Sequence, residues 1–366
     1  MYTERELVRI ARRENNSRRN YLVVNPLQGK HIPVSPGKAL GVFSELAGLL
    51  RKYSGERLLV VGFAETATAV GARIAIELGA GYIQTTREEI PGVEYLFFSE
   101  EHSHATQQKL VKSDLHRVLD RTDRIIFAED EVTTGKTIRN LIAVLEQCCG
   151  SRLQFAVASL LNGMKEEDER AFQDRDIGLH YLLKISHEGY PETASQAAED
   201  GIYHLEEESG GAYTACFDLE GRVDARRLTE GPGYDGACRE FSDKALNLLP
   251  LEGHERVLVL GTEEFMYPGL WLGKSLEERG HEVMFHATTR SPIAVSSSGD
   301  YPLHERYALS SFYQEDRRTF LYDIGSFDAV IVVTDAREKG TKGERALLSA
   351  LEKKNAVVCL VRWCGE

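Results

Sequence analysis

Short apolar runs alternate with segments of helical period along most of the chain. Residues 57–63 (RLLVVGF) read as a buried strand, 67–81 as the helix behind it and 81–87 (GYIQTTR) as the next strand. Residues 124–130 (RIIFAED) are strand-like again. After them Ile138, Leu141, Ile142 and Leu145 recur at i, i+3, i+4 and i+7, so all four fall on one helical face. Residues 152–161 give a further strand. Beyond residue 211 the alternation resumes, with strands within 256–265, 282–292, 327–336 and 356–363 and helices over 268–280 and 342–354. Strands separated by helices predict an α/β architecture with a mainly parallel sheet. Two stretches break the pattern. Residues 88–103 read as a long irregular segment, and 189–211 (GYPETASQAAEDGIYHLEEESGG) are acidic, Gly-bearing and without apolar period. The second break predicts a domain boundary, with domains over 1–209 and 210–366.

The two halves resemble each other. Gly62 pairs with Gly261, Glu65 with Glu264, Thr85-Thr86-Arg87 with Thr288-Thr289-Arg290, Asp130 with Asp335 and Gly135 with Gly340. The offsets, 199, 199, 203, 205 and 205, drift only slightly. This predicts a duplication and two superposable sheets.

Composition narrows the class. The chain has 366 residues, enough for two cores, with 42% hydrophobic and 28% charged residues, as in globular proteins. No run approaches the roughly 18 apolar residues of a membrane span, and the first 20 residues lack a continuous apolar core, so neither membrane span nor secretory signal is expected. Cytoplasm is the expected compartment. A formal net charge of −13 argues against general nucleic-acid binding. The Arg-rich N-terminal arm is the exception, and it reads as a solvated helix. Cys148, Cys149, Cys216, Cys238, Cys359 and Cys364 show no CxxC or zinc spacing, so reduced, structural thiols are expected.

The densest chemistry lies in residues 124–146, where adjacent acids end a strand and a Thr/Gly-rich turn opens a helix. A triphosphate P-loop would need Gly five residues before Gly135-Lys136, and position 130 is Asp. A ligand with a vicinal diol beside a phosphate fits instead. Glu129 and Asp130 can accept from two ribose hydroxyls, while Thr133, Thr134, Gly135, Lys136 and Thr137 wrap a monophosphate at the helix N-terminus. Gly135 permits the tight turn.

IIFAEDEVTTGKT resembles the phosphoribosyl-pyrophosphate signature of type I phosphoribosyltransferases: an apolar strand, two acids, two variable residues and a Thr-rich glycine loop. Thr289-Arg290-Ser291-Pro292 resembles the TRSP domain, found behind orotate-transferase-like phosphoribosyltransferases in bacterial tellurite-resistance-type gene clusters. Glu131 departs from the usual apolar residue after the acid pair. The resemblance implies a type I phosphoribosyltransferase fold, Rossmann-like with a hood, followed by a second α/β domain, a degenerate duplicate. It implies a cytoplasmic enzyme of nucleotide biosynthesis that uses phosphoribosyl pyrophosphate, a base or amine, and Mg2+ held mainly through substrate. A homodimer is among the expected forms, and a non-catalytic nucleotide-binding regulator on the same fold is the alternative.

The same resemblance implies further site residues. Phe63, Ala64, Glu65 and Thr66 form the pyrophosphate loop, a position where the family often has unusual peptide geometry. Arg87 is the cation for pyrophosphate, and the segment after it is a closing loop. His102 and His104 are candidates for acid–base or metal work in that loop. Residues 25–40 form the hood, with Lys30 and His31 as base or phosphate contacts and Ser186 and His187 as weaker ones. The duplication, rather than the resemblance, makes Arg337, Lys339 and Lys342 around Gly340 candidates for an anion, with a structural or dimerising role as the alternative, and Arg290 and Ser291 are candidates for a second ligand site.

Overall fold

The computed structural model describes residues 2–14, 16, 19–98, 108–149 and 153–365. They group into two compact units that interleave along the chain. The first holds residues 1–2, 41–186 and 223–237; the second holds 3–40, 187–222 and 238–366. A single division after residue 209 follows chain order, whereas the packing assigns the first forty residues, apart from the first two, to the second unit.

The first unit is built on β1 (Leu58–Gly62), β2 (Gly81–Gln84), β3 (Arg124–Val132) and β4 (Gln154–Asn162), with helices α1 (Thr68–Leu78) and α2 (Lys136–Cys149). The sheet runs β2-β1-β3-β4, all parallel; Gly178–Lys184 extends it beyond β4, and Thr229–Glu230 adds an antiparallel edge to β2. The chain leaves β1 to one side and returns on the other at β3, so a topological switch point opens between these strands at their carboxyl ends. Ile138, Leu141, Ile142 and Leu145 of α2 are buried with Leu59, Val61, Ile125 and Phe127, as their spacing predicts. Burying each such side chain contributes roughly 1.5–3 kcal/mol.

The second unit repeats this plan with β5 (Arg256–Gly261), α3 (Tyr267–Glu278), β6 (Glu282–Ala287), β7 (Ala329–Thr334), α4 (Lys342–Glu352) and β8 (Val358–Cys364). Its sheet runs β6-β5-β7-β8 in parallel, with Ala215–Glu220 added beyond β8.

Two expectations change. The N-terminal arm is not one solvated helix: after the single turn Glu4–Leu7, Arg9–Arg12 pairs antiparallel with Tyr21–Val24, and Ala11 and Val24 enter a core with Ile293 and Val295. Alternation of polar and apolar residues over this short hairpin is masked by its arginines. Part of the segment read as irregular is also ordered, for Tyr95–Phe98 pairs antiparallel with Gln108–Val111. Leu96 and Phe98 face the first unit's core. Among the described residues no helix is long and apolar enough to cross a membrane.

Candidate functional site

At the end of β1 two glycines bring strand and helix together. A Cβ on Gly71 of α1 would lie 2.7 Å from the Gly62 Cα, and one on Gly62 would meet the Tyr82 hydroxyl at 2.8 Å. That hydroxyl donates to the Thr68 carbonyl at 2.6 Å. The intervening loop, Phe63 to Ala67, contains a cis peptide bond between Ala64 and Glu65, the kind of feature expected at this position. Its conformation is held from both sides. The Ala64 N–H donates to Thr85 Oγ1 at 2.8 Å, the Thr85 hydroxyl donates to Gln108 Oε1, and Gln108 Nε2 donates back to the Ala64 carbonyl at 2.8 Å. Thr85 and Gln108 are buried, so this triangle is shielded from water, which favours its hydrogen bonds. The sequence reading missed Gln108, because nothing near it in the chain shows that it returns to this loop.

β3 is buried from Ile125 to Ala128 and then presents Glu129, Asp130 and Glu131 half-buried. Burial raises the Asp130 carboxyl above its ordinary pKa, the adjacent Glu131 charge raises it further, and a hydrogen bond from the Thr66 side chain opposes both. Thr66 therefore links the loop after β1 to the acids at the carboxyl end of β3.

The turn from β3 into α2 rests on an aromatic floor. Gly135 has φ +65°, and a Cβ there would come within 2.5 Å of the Phe172 ring. Phe172 is fully buried. The Lys136 N–H donates to Thr134 Oγ1 at 3.3 Å, and the Arg139 N–H to the Gly135 carbonyl at 2.9 Å. Arg139 also reaches the Thr134 carbonyl at 3.4 Å and Asp168 at 3.5 Å, bracing the turn from behind. Thr133, Thr134 and Thr137 are half-exposed and Lys136 is exposed, around the first turn of a fourteen-residue helix. The dipole of the helix makes such a turn attractive to a phosphate.

Arg87 is half-buried just after Thr86. Thr86 exchanges backbone hydrogen bonds with Lys109, at 3.0 and 3.2 Å. The Lys109 ammonium lies over the Tyr95 ring at 4.3 Å and pairs with Glu89, with its side chain only 4% exposed. A second cation thus stands on the strand bridged to the Arg87 segment. Sequence reasoning passed over it, since a lysine in a polar run ordinarily reads as solvated. His102 and His104 lie outside the described residues.

The remaining candidates are placed in the second unit, except Ser186, which closes the first unit's middle segment. Lys30 is fully buried, and its ammonium donates to the carbonyls of Glu263, at 2.6 Å, and Thr288, at 2.9 Å. His31 is buried beside it, in a turn that ends where Val34 pairs with Phe285 of β6. His187 packs against Tyr21 and Tyr190. Arg290 bonds Glu263 through Nε at 2.7 Å, and the Ser291 N–H donates to Thr289 Oγ1 at 3.2 Å. Around Gly340, Lys339 pairs with Asp218, Lys342 with Glu206 at 3.3 Å, and Arg337 is exposed.

Residues 7–186 match a family model described as phosphoribosyl transferase, and residues 236–351 one described as the TRSP domain C-terminal to that transferase. No match was found among curated proteins. Among solved structures, the chain is similar to adenine phosphoribosyltransferase from Rhodothermus marinus, with 17% identity over 50% of this chain and 96% of that one and a TM-score of 0.35. It is also similar to the Giardia lamblia adenine phosphoribosyltransferase complexed with 9-deazaadenine, with 16% identity over 50% and 95% of the two chains and a TM-score of 0.36.

Proposed function

Because residues 7–186 belong to the phosphoribosyl transferase family and residues 236–351 to the TRSP domain that follows such transferases, we propose that this phosphoribosyltransferase uses phosphoribosyl pyrophosphate and magnesium to make a nucleotide-like product from a base or amine. Glu129 and Asp130 accept hydrogen bonds from the two ribose hydroxyls and set negative charge beside the cation that develops at C1. Thr133, Thr134, Gly135, Lys136 and Thr137 hold the 5-phosphate. Phe63, Ala64, Glu65 and Thr66 line the pyrophosphate, with Arg87 as its counter-charge. The C1–O bond breaks, pyrophosphate leaves with the electron pair, and the acceptor nitrogen forms the new bond to C1.

A magnesium ion at this site would supply positive charge to offset the negative charge of the leaving pyrophosphate. Glu65, Glu129 and Asp130 would hold such an ion by accepting hydrogen bonds from its waters. A cytoplasmic homodimer and a place in a tellurite-resistance-type gene cluster belong to the same reading, on resemblance alone.

The observation that supports this assignment most is the Thr66–Asp130 hydrogen bond, which joins a loop suited to pyrophosphate with acids suited to a diol at one switch point. The test is incubation with labelled phosphoribosyl pyrophosphate, magnesium and a panel of bases and amines. Acceptor-dependent pyrophosphate release is expected. Binding without release under every acceptor would sink the enzymatic reading and leave a regulator.

A further inference from the structure

The two units share more than strand order. Where Ala64 N–H meets Thr85 Oγ1 at 2.8 Å in the first, Glu263 N–H meets Thr288 Oγ1 at 2.9 Å in the second. Thr85 N–H donates to the Gly62 carbonyl at 2.9 Å, and Thr288 N–H to the Gly261 carbonyl at 3.1 Å. Thr86 bridges Lys109 as Thr289 bridges Phe320. The turns before α2 and α4 carry Gly135 at φ +65° and Gly340 at φ +63°. Generic βα units do not reproduce a side-chain-to-backbone bond at the same step of the same loop, so the second unit retains the framework of the first.

What fills the framework differs. Glu263 replaces Ala64, and its carboxylate, 1% exposed, accepts from Arg290 Nε at 2.7 Å, Arg317 Nη1 at 3.1 Å and the Ser311 hydroxyl. Arg290 is the counterpart of Arg87. At the other turn the buried Glu344 replaces Arg139. One of its oxygens accepts from the Gly340 N–H at 2.7 Å, and the other meets the Arg362 guanidinium. Asp335, the remaining diol acid, is held by Arg222 at 2.8 Å and by the Tyr313 hydroxyl at 2.7 Å.

We propose that the second unit is a phosphoribosyl site filled from within: Glu344 stands for the ligand's 5-phosphate and Glu263 for its pyrophosphate, so this unit binds no phosphoribosyl compound. An incoming phosphate would have to displace a carboxylate that is tethered next to its own donors, and would leave that charge buried and unpaired. The ligand class rests on the reading of the first unit, whereas the internal filling rests on the contacts above.

Calorimetric titration of the full chain with ribose 5-phosphate separates the two. Wild type is expected to bind one equivalent, lost on Thr134→Ala/Thr137→Ala, and Glu344→Ala is expected to bind one more than wild type. If the first unit does not take this ligand, wild type binds none and Glu344→Ala still gains one. Two equivalents on wild type, one equivalent that survives Thr134→Ala/Thr137→Ala, or no gain in a Glu344→Ala protein with native circular dichroism would overturn the proposal. If Glu344→Ala does not fold, Glu344→Gln replaces it: a Tm raised by inorganic phosphate more than wild type's upholds the proposal, and an equal response refutes it. Should neither variant fold, the wild-type count and its loss in Thr134→Ala/Thr137→Ala decide.

Discussion

The Thr66 side chain hydrogen-bonds the Asp130 carboxylate, so the loop after β1 and the acid pair at the end of β3 are one connected unit. Removing that hydroxyl disconnects them without opening a cavity. Thr66→Val should lower kcat/KM about tenfold, the effect of roughly 1.4 kcal/mol lost from one hydrogen bond to a charged group. The acid limb of the pH–rate profile should move to higher pH, because Thr66 opposes the other influences on Asp130. A profile that keeps its acid limb in place would refute the connection.

Asp130 itself is set against stability. Burial first, and the Glu131 charge second, raise its folded pKa above the unfolded value. Such a carboxyl reduces stability as pH climbs past the unfolded pKa, and the loss is complete once pH exceeds the folded one. Asp130→Asn should therefore stabilise the ligand-free protein at neutral pH, by roughly 0.5–2 kcal/mol as functional-site substitutions often do, while ribose binding weakens at least about tenfold. Thermal melts with and without ribose 5-phosphate check both halves.

Gly135 cannot take a side chain, on two counts. Its positive φ disfavours any L residue, and a Cβ would press into Phe172. Gly135→Ala should cost more than about 1 kcal/mol of stability. In a double-mutant cycle, adding Phe172→Leu should recover the steric part and leave the backbone part. Simple additivity of the two changes would mean that the ring is not what the Cβ meets.

Lys30 has become a structural residue. Lys30→Met would keep the stem but leave the carbonyls of Glu263 and Thr288 without the ammonium, at roughly 1–3 kcal/mol for each buried group left unsatisfied. A clear fall in Tm is expected, and an unchanged denaturation midpoint would contradict the placement.

Acid should weaken the second unit through His286. Burial depresses its pKa to about 4, with the Lys30 charge adding to the effect and the hydrogen bond to the Tyr322 carbonyl and the nearby Gly29 backbone opposing it. A depressed histidine stabilises the fold fully above its unfolded pKa near 6.5, and that contribution is lost as pH falls toward 4. Chemical denaturation from pH 7 to 4 should show the decline, and His286→Gln should flatten it.

Much of this was legible because local pattern sufficed. The α2 face, the strands that flank it and the Thr/Gly turn are each specified within a dozen residues. The pairing of Thr85 with Thr288, read from spacing alone, reappears as matching hydrogen bonds. Long-range partners were hidden. Gln108 closes on Ala64 across 44 residues, and Lys30 reaches Glu263 across 233. A polar residue's sequence neighbours do not reveal such a partner, so Lys30 read as a ligand contact and Arg290 as a site residue, when both serve carbonyls or carboxylates of their own unit.

The interleaving of the second unit has a consequence for synthesis. Residues 3–40 are made well before their partners, for Val24 packs with Ile293 and Val295, Lys30 bonds the carbonyls of Glu263 and Thr288, and Val34 pairs with Phe285 of a sheet whose first parallel strand of this set, β5, begins at Arg256. At about 5–20 residues per second the early segment waits roughly 10–40 s for its partners. Throughout that interval Ala11 and Val24 of the hairpin lack Ile293 and Val295, the residues that complete their core, and chaperone demand should rise with any pause in translation between those points.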